Sequence, residues 1–140
     1  MVENVKVIDR LAWETDEEYG YRVAQYHVIH KTHDALQQID GVTTNADHAD
    51  TAAELIKAAA LDLAKVAPPE LYADAHKALA EGLEYYSAAM RLLKVGIQDR
   101  DAALVMEAAR EISLGNTRIE AGKLLAYKGF QKAETERRNG

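Results

Sequence analysis

Apolar residues recur at helical spacing along most of the chain, and four segments carry the pattern. In the first, Tyr21, Ala24, Val28, Ile29, Ala35, Leu36 and Ile39 share one stripe at roughly 100° per residue. That spacing predicts a helix over about 16–40, closed by Gly41. Thr15 and Glu18 match a capping box, in which each side chain satisfies a backbone N–H of the other. Asp16 and Glu17 add negative charge at the positive end of the dipole. The second segment, about 45–66, places Ala52, Leu55, Ile56, Ala59, Leu63 and Val66 on one face. It starts either at Thr44 or at a second capping box, Thr51 with Glu54.

Pro68 and Pro69 break the chain and suit the first turn of a third helix over about 69–97. Its pattern is the strongest of the four. Tyr72, Leu79, Tyr86 and Leu93 repeat every seven residues, and so do His76, Leu83, Met90 and Ile97. Together they make a seam about 40 Å long, which needs long, near-parallel neighbours to bury it. The fourth helix, about 101–133, begins at a cap supplied by Asp99 or Asp101. Val105, Ala108, Ile112, Gly115, Ile119 and Gly122 share its apolar face. Each glycine there costs ~1 kcal/mol of helix propensity relative to Ala, so the pair predicts close approach of another backbone.

Short links favour antiparallel neighbours. The expected architecture is therefore all-α: an antiparallel up-down-up-down four-helix bundle in a single domain over 1–140, with a short N-terminal extension. Within residues 1–13, Val5, Ile8 and Leu11 have helical spacing, while VKVI also suits a short strand. A helical extension or a segment laid along the bundle is the preferred reading.

Composition narrows the function classes. At 140 residues and 48% apolar, the chain has the material for one core. It has no cysteine, which removes disulfides, thiolate metal sites and cysteine nucleophiles. The net charge of −6 opposes non-specific binding to nucleic acid or an anionic membrane. Arg137 and Arg138 are one small basic candidate. No run approaches the ~18 apolar residues of a membrane span, and the first residues lack the apolar core of a secretory signal. The chain as written is expected to be cytoplasmic, or extracytoplasmic if an N-terminal signal was removed.

From Pro68 to about residue 125, the Pro-Pro-Glu start, His76, the Tyr and Leu-Leu spacing, Gly96-Ile97, the Asp-rich turn and Gly115-Asn116 form a further pattern. It resembles the C-terminal helical hairpin of small Firmicutes helical proteins, many of them predicted surface lipoproteins. The resemblance implies a bundle with a binding or envelope-associated role and carries no catalytic residues. This chain lacks the lipid-accepting Cys and the lipoprotein signal of that group.

The candidate chemistry centres on histidine. His27, His30 and His33 lie in one helix at i, i+3 and i+6. Adjacent members, with Asp34 at i+4 from His30, have the spacing to share a transition-metal ion, whereas the competing reading is a solvated helix face. His76 lies on the third-helix seam, where an imidazole needs partners for its nitrogens. With Tyr72, Tyr86 and Asn116 it forms the ligand-site or polar-core candidate. No His has Glu three residues before it, so the Glu-x-x-His pairs of di-iron bundles are missing. Phosphate-loop, zincin and serine-elbow motifs are absent too. Arg22-x4-His27 has the spacing found in helical HEPN ribonucleases, where such an Arg and His act on the RNA phosphodiester in a dimer cleft. Here Val23 stands where that family usually has a polar residue, and the motif falls in the first helix. The leading expectation is a non-enzymatic binding module, without cofactor, that meets a protein partner or a second copy through an apolar helix face left over from core formation. The alternatives are a small-ligand or metal-binding bundle and the ribonuclease.

Overall fold

The computed structural model describes residues 9–39 and 46–138. The expectations at VKVI, Gly41 and Thr44 fall outside these residues. Among the described residues every regular element is helical: α1 (Asp16–Ile39), α2 (Ala46–Ala64), a 3₁₀ turn (Glu70–Tyr72), α3 (Ala73–Gln98) and α4 (Ala102–Arg138). The chain is an all-α four-helix bundle.

The helix ends follow local chemistry. At the start of α1, the Thr15 N–H donates to Glu18 Oε1 and the Glu18 N–H to Thr15 Oγ1, each at 3.1 Å, as a capping box requires. Asp101 caps α4, accepting from the N–H groups of Ala103 and Leu104 at 3.0 and 3.3 Å. Between α3 and α4, Arg100 takes a left-handed φ of 52°. The Asp101 N–H reaches back to Gly96 O at 2.8 Å and the Arg100 N–H to Ile97 O at 3.3 Å, which is the Schellman closure of a helix end.

Three expectations need correction. Thr51 lies inside α2, where its hydroxyl donates to Asp47 O at 3.1 Å. The i−4 carbonyl within a helix competes with the capping role for the same hydroxyl. Pro69 leads into the 3₁₀ turn, so α3 starts four residues later than expected. The fourth helix runs five residues past 133, to Arg138. Arg137 and Arg138 in its last turn complement the dipole, and Arg137 is anchored, as described below.

The heptad seam of α3 is the centre of the core. Tyr72, Leu79, Leu83, Tyr86, Met90 and Leu93 are all buried. Leu79, Leu83, Tyr86 and Met90 pack with Val28 and Ala35 of α1, Ile56 and Leu63 of α2 and Ile119 of α4, Tyr72 with Tyr21 and Ala126, and Leu93 with Ala49 and Ala108. Each such aliphatic side chain contributes roughly 1.5–3 kcal/mol by leaving water. His76 and Ile97, also on the seam, are only half-buried.

Small residues set the spacing between α3 and α4. Ala75, Gly82, Ala89 and Gly96 recur every seventh position on α3, and Ala108, Gly115, Gly122 and Gly129 on α4. A Cβ on Gly115 would lie 3.1 Å from Gly82 O, and one on Gly122 would lie 3.2 Å from Ala75 O. The close approach predicted from Gly115 and Gly122 is therefore present, with α3 supplying the facing backbone. α1 packs on α2 and α2 on α3, while α1 and α4 keep their backbones apart. The bundle is thus open along the α1–α4 side.

Candidate functional site

That opening begins at a polar clasp. Glu14 and Glu18, both nearly fully buried, face Arg22 and Arg137. Arg22 Nε and Nη2 donate to the Glu14 carboxylate, the latter at 2.7 Å, and Nη2 also to Asp9 O at 2.9 Å. Arg137 donates to both Glu18 oxygens, at 2.6 and 2.9 Å, and to Trp13 O at 3.2 Å. The Arg137 hydrogen bonds hold the Glu18 carboxyl below its usual range. Burial pushes Glu14 up, but its Arg22 and Leu11 hydrogen bonds outweigh burial and leave it lowered. Phe130 meets Trp13 edge-on, with centroids 5.1 Å apart, and the Arg22 guanidinium lies 5.2 Å from the Phe130 centroid. The first turns of α1 are thereby tied to the last turns of α4.

Beyond the clasp, α1 and α4 flank a groove of about 460 Å³. Tyr26, Ile29, Tyr72, Ala126, Tyr127 and Phe130 form its apolar walls. Gln25, Arg22, His30 and Lys123 supply the polar positions, and no carboxylate lines it. Tyr26 packs on His30 with ring centroids 5.0 Å apart.

Tyr72 closes the inner wall and joins the polar-core candidates. Its ring stacks on Tyr21 at 5.3 Å, and the Tyr21 hydroxyl meets His76 Nδ1 at 2.9 Å. His76 therefore finds a tyrosine hydroxyl, as the seam position requires, but from α1. Burial lowers its pKa and favours the neutral imidazole. Tyr86 donates instead to Asn116 Oδ1. Of the four candidates, Tyr72 and His76 are brought together through Tyr21, while Tyr86 and Asn116 form a separate pair. The Tyr72 hydroxyl is buried and has no partner among the described residues. Burial raises the phenols of Tyr72 and Tyr86 to about 12.

The α1 histidines do not assemble. All three are exposed. His33 turns to Gln37, with the side-chain nitrogens 3.1 Å apart. His27, His30 and Asp34 border a shallow depression toward α2, beside Lys31 and Lys65. Among the described residues no three His, Asp or Glu side chains are grouped to hold a metal ion. At about 100° per residue, His27, His30 and Asp34 fall within about 60° of one another beside that depression, whereas His33 lies about 120° from His27 and leaves the set. Arg22 and His27 open onto different sides of α1, the α4 groove and the α2 depression. The basic candidate Arg137 is committed to Glu18.

α4 carries a third surface. Among the described residues, Met106, Leu114, Leu124, Leu125 and Tyr127 are large apolar side chains of α4 left 40–72% exposed. At about 100° per residue, Leu124 and Met106 project nearly opposite the Gly115–Gly122 face that meets α3, whereas Leu114 and Leu125 share a flank of α4 roughly 80° from it. No described helix is long and apolar enough to cross a membrane. No family model, curated protein or solved structure matches the chain.

Proposed function

We propose that the protein is a non-enzymatic interaction module that self-associates through the flank of α4 that carries Leu114 and Leu125. The observation that carries this reading is the pair of exposed leucines beside the face by which α4 packs on α3. Leu114 and Leu125, with Ala121 between them and Arg118 at the edge, form an apolar ridge, and exposed apolar side chains so grouped mark partner sites. A second copy is the favoured partner because the ridge is self-complementary. Leu114 and Leu125 lie equally far from the point between residues 119 and 120, and so do Glu107 and Lys132. Two antiparallel copies of α4 related by a two-fold axis there set each Leu114 against the other copy's Leu125, and bring each Glu107 level with the other's Lys132. Two-fold self-contacts of this kind are the commonest route to oligomers.

Charge reversal of the ridge tests the proposal. Leu114→Glu with Leu125→Glu alters exposed positions, so the fold and its far-UV circular dichroism are retained while association is lost. Association undiminished in this variant removes the ridge as the interface.

A further inference from the structure

Independently of the α4 ridge, we propose that the α1–α4 groove binds a small organic anion with an aromatic or branched apolar body. The volume of about 460 Å³ falls in the range of small-molecule sites, roughly 300–1,000 Å³. Its walls are those of such sites: aromatic and aliphatic side chains with a few polar positions. Tyr26 of α1 and Tyr127 of α4 both line it, and Ile29, Ala126 and Phe130 continue the apolar surface. A flat ring laid against these aromatic walls gains contact area and offset stacking.

Charge selects the head group. The chain carries a net −6, yet the groove is lined by Arg22, His30 and Lys123 and by no carboxylate. Arg22 is held by Glu14, leaving Lys123 and His30 at the far end as the anchor for a negative group. Among the described residues Lys123 pairs with Glu120, at 3.1 Å between exposed side chains one helical turn apart, an arrangement easily exchanged for a ligand carboxylate. The two ends of the groove thus differ in free charge: His30 and Lys123 form the anion end, while at the Phe130 end the Arg22 cation is already neutralised by Glu14. A carboxylate attached to a ring system fits that polarity, and an ammonium does not.

Calorimetric titration of the full chain with 2-naphthoate, 2-naphthylmethanol and 2-naphthylmethylamine tests this. The carboxylate is expected to bind, the neutral alcohol about tenfold more weakly and the amine not measurably. Lys123→Ala is expected to weaken naphthoate about tenfold while leaving the alcohol unchanged. Tyr127→Ala, at a position 57% exposed and so tolerated by the fold, weakens both. Absence of naphthoate binding overturns the site. Equal binding of acid, alcohol and amine, or naphthoate affinity unchanged in Lys123→Ala, overturns the anion assignment.

Discussion

Gly115→Ala puts the packing of α3 on α4 to a quantitative test. In an unobstructed helix this change stabilises by roughly 1 kcal/mol, because alanine loses less backbone entropy than glycine. At Gly115 the new Cβ would lie 2.6 Å from both Cδ1 and Cε1 of Tyr86 and 3.1 Å from Gly82 O. The ring has little room to retreat. Tyr86 is 2% exposed, and its hydroxyl is held by Asn116. Overpacking of a closed site costs about 1–3 kcal/mol. Subtracting the propensity gain leaves a net destabilisation of up to about 2 kcal/mol. Gly20 is the internal control, since a Cβ there meets nothing within 4 Å. Gly20→Ala is expected to stabilise by up to ~1 kcal/mol. Urea denaturation followed by far-UV circular dichroism measures both. A Gly115→Ala protein stabilised as much as Gly20→Ala refutes the close packing.

Further outcomes follow from other parts of the core. Tyr72→Phe removes a buried hydroxyl that has no partner among the described residues, so urea melts are expected to show a gain of up to ~1 kcal/mol; a clear loss would mean that the hydroxyl is bonded. Leu83, 1% exposed on the α3 seam, gives a loss of more than ~3 kcal/mol when changed to Asp, and a mild effect would place it outside the core. Burial depresses the His76 pKa below its ordinary 6.5. As pH falls through 6.5 the unfolded chain takes up the proton first, so stability declines from there toward the lower folded-state value. His76→Gln should flatten that part of the stability–pH curve, measured by urea melts at stepped pH.

Much of the fold was legible because it rests on period and local chemistry. The seven-residue repeat of Tyr72, Leu79, Tyr86 and Leu93 is also the buried seam, and the Thr15–Glu18 box forms as spaced. Gly115 and Gly122 revealed a close contact because a mid-helix glycine is costly without a reason. Thr51–Glu54 misled because the same spacing occurs inside helices, where the threonine hydroxyl turns to the carbonyl one turn back. The clasp was invisible in the sequence, since Glu18 and Arg137 lie 119 residues apart. So was the groove, which exists only because α1 and α4 stand apart. For Tyr72 and His76 the sequence indicated polar groups in an apolar seam, but not which tyrosine would serve the imidazole. Trp13, Tyr127 and Phe130 carried no periodic signal pointing to α1, and Lys123 resembled any solvated helix residue.

The Leu114–Leu125 flank of α4 is proposed to meet a second copy of the chain. Light scattering of the full chain, from low micromolar to near-millimolar concentration, tests it most directly. The account predicts a mass rising with concentration toward twice the 15.5 kDa of the monomer, and no such rise for Leu114→Glu with Leu125→Glu. A wild-type mass that stays at the monomer value throughout would contradict it.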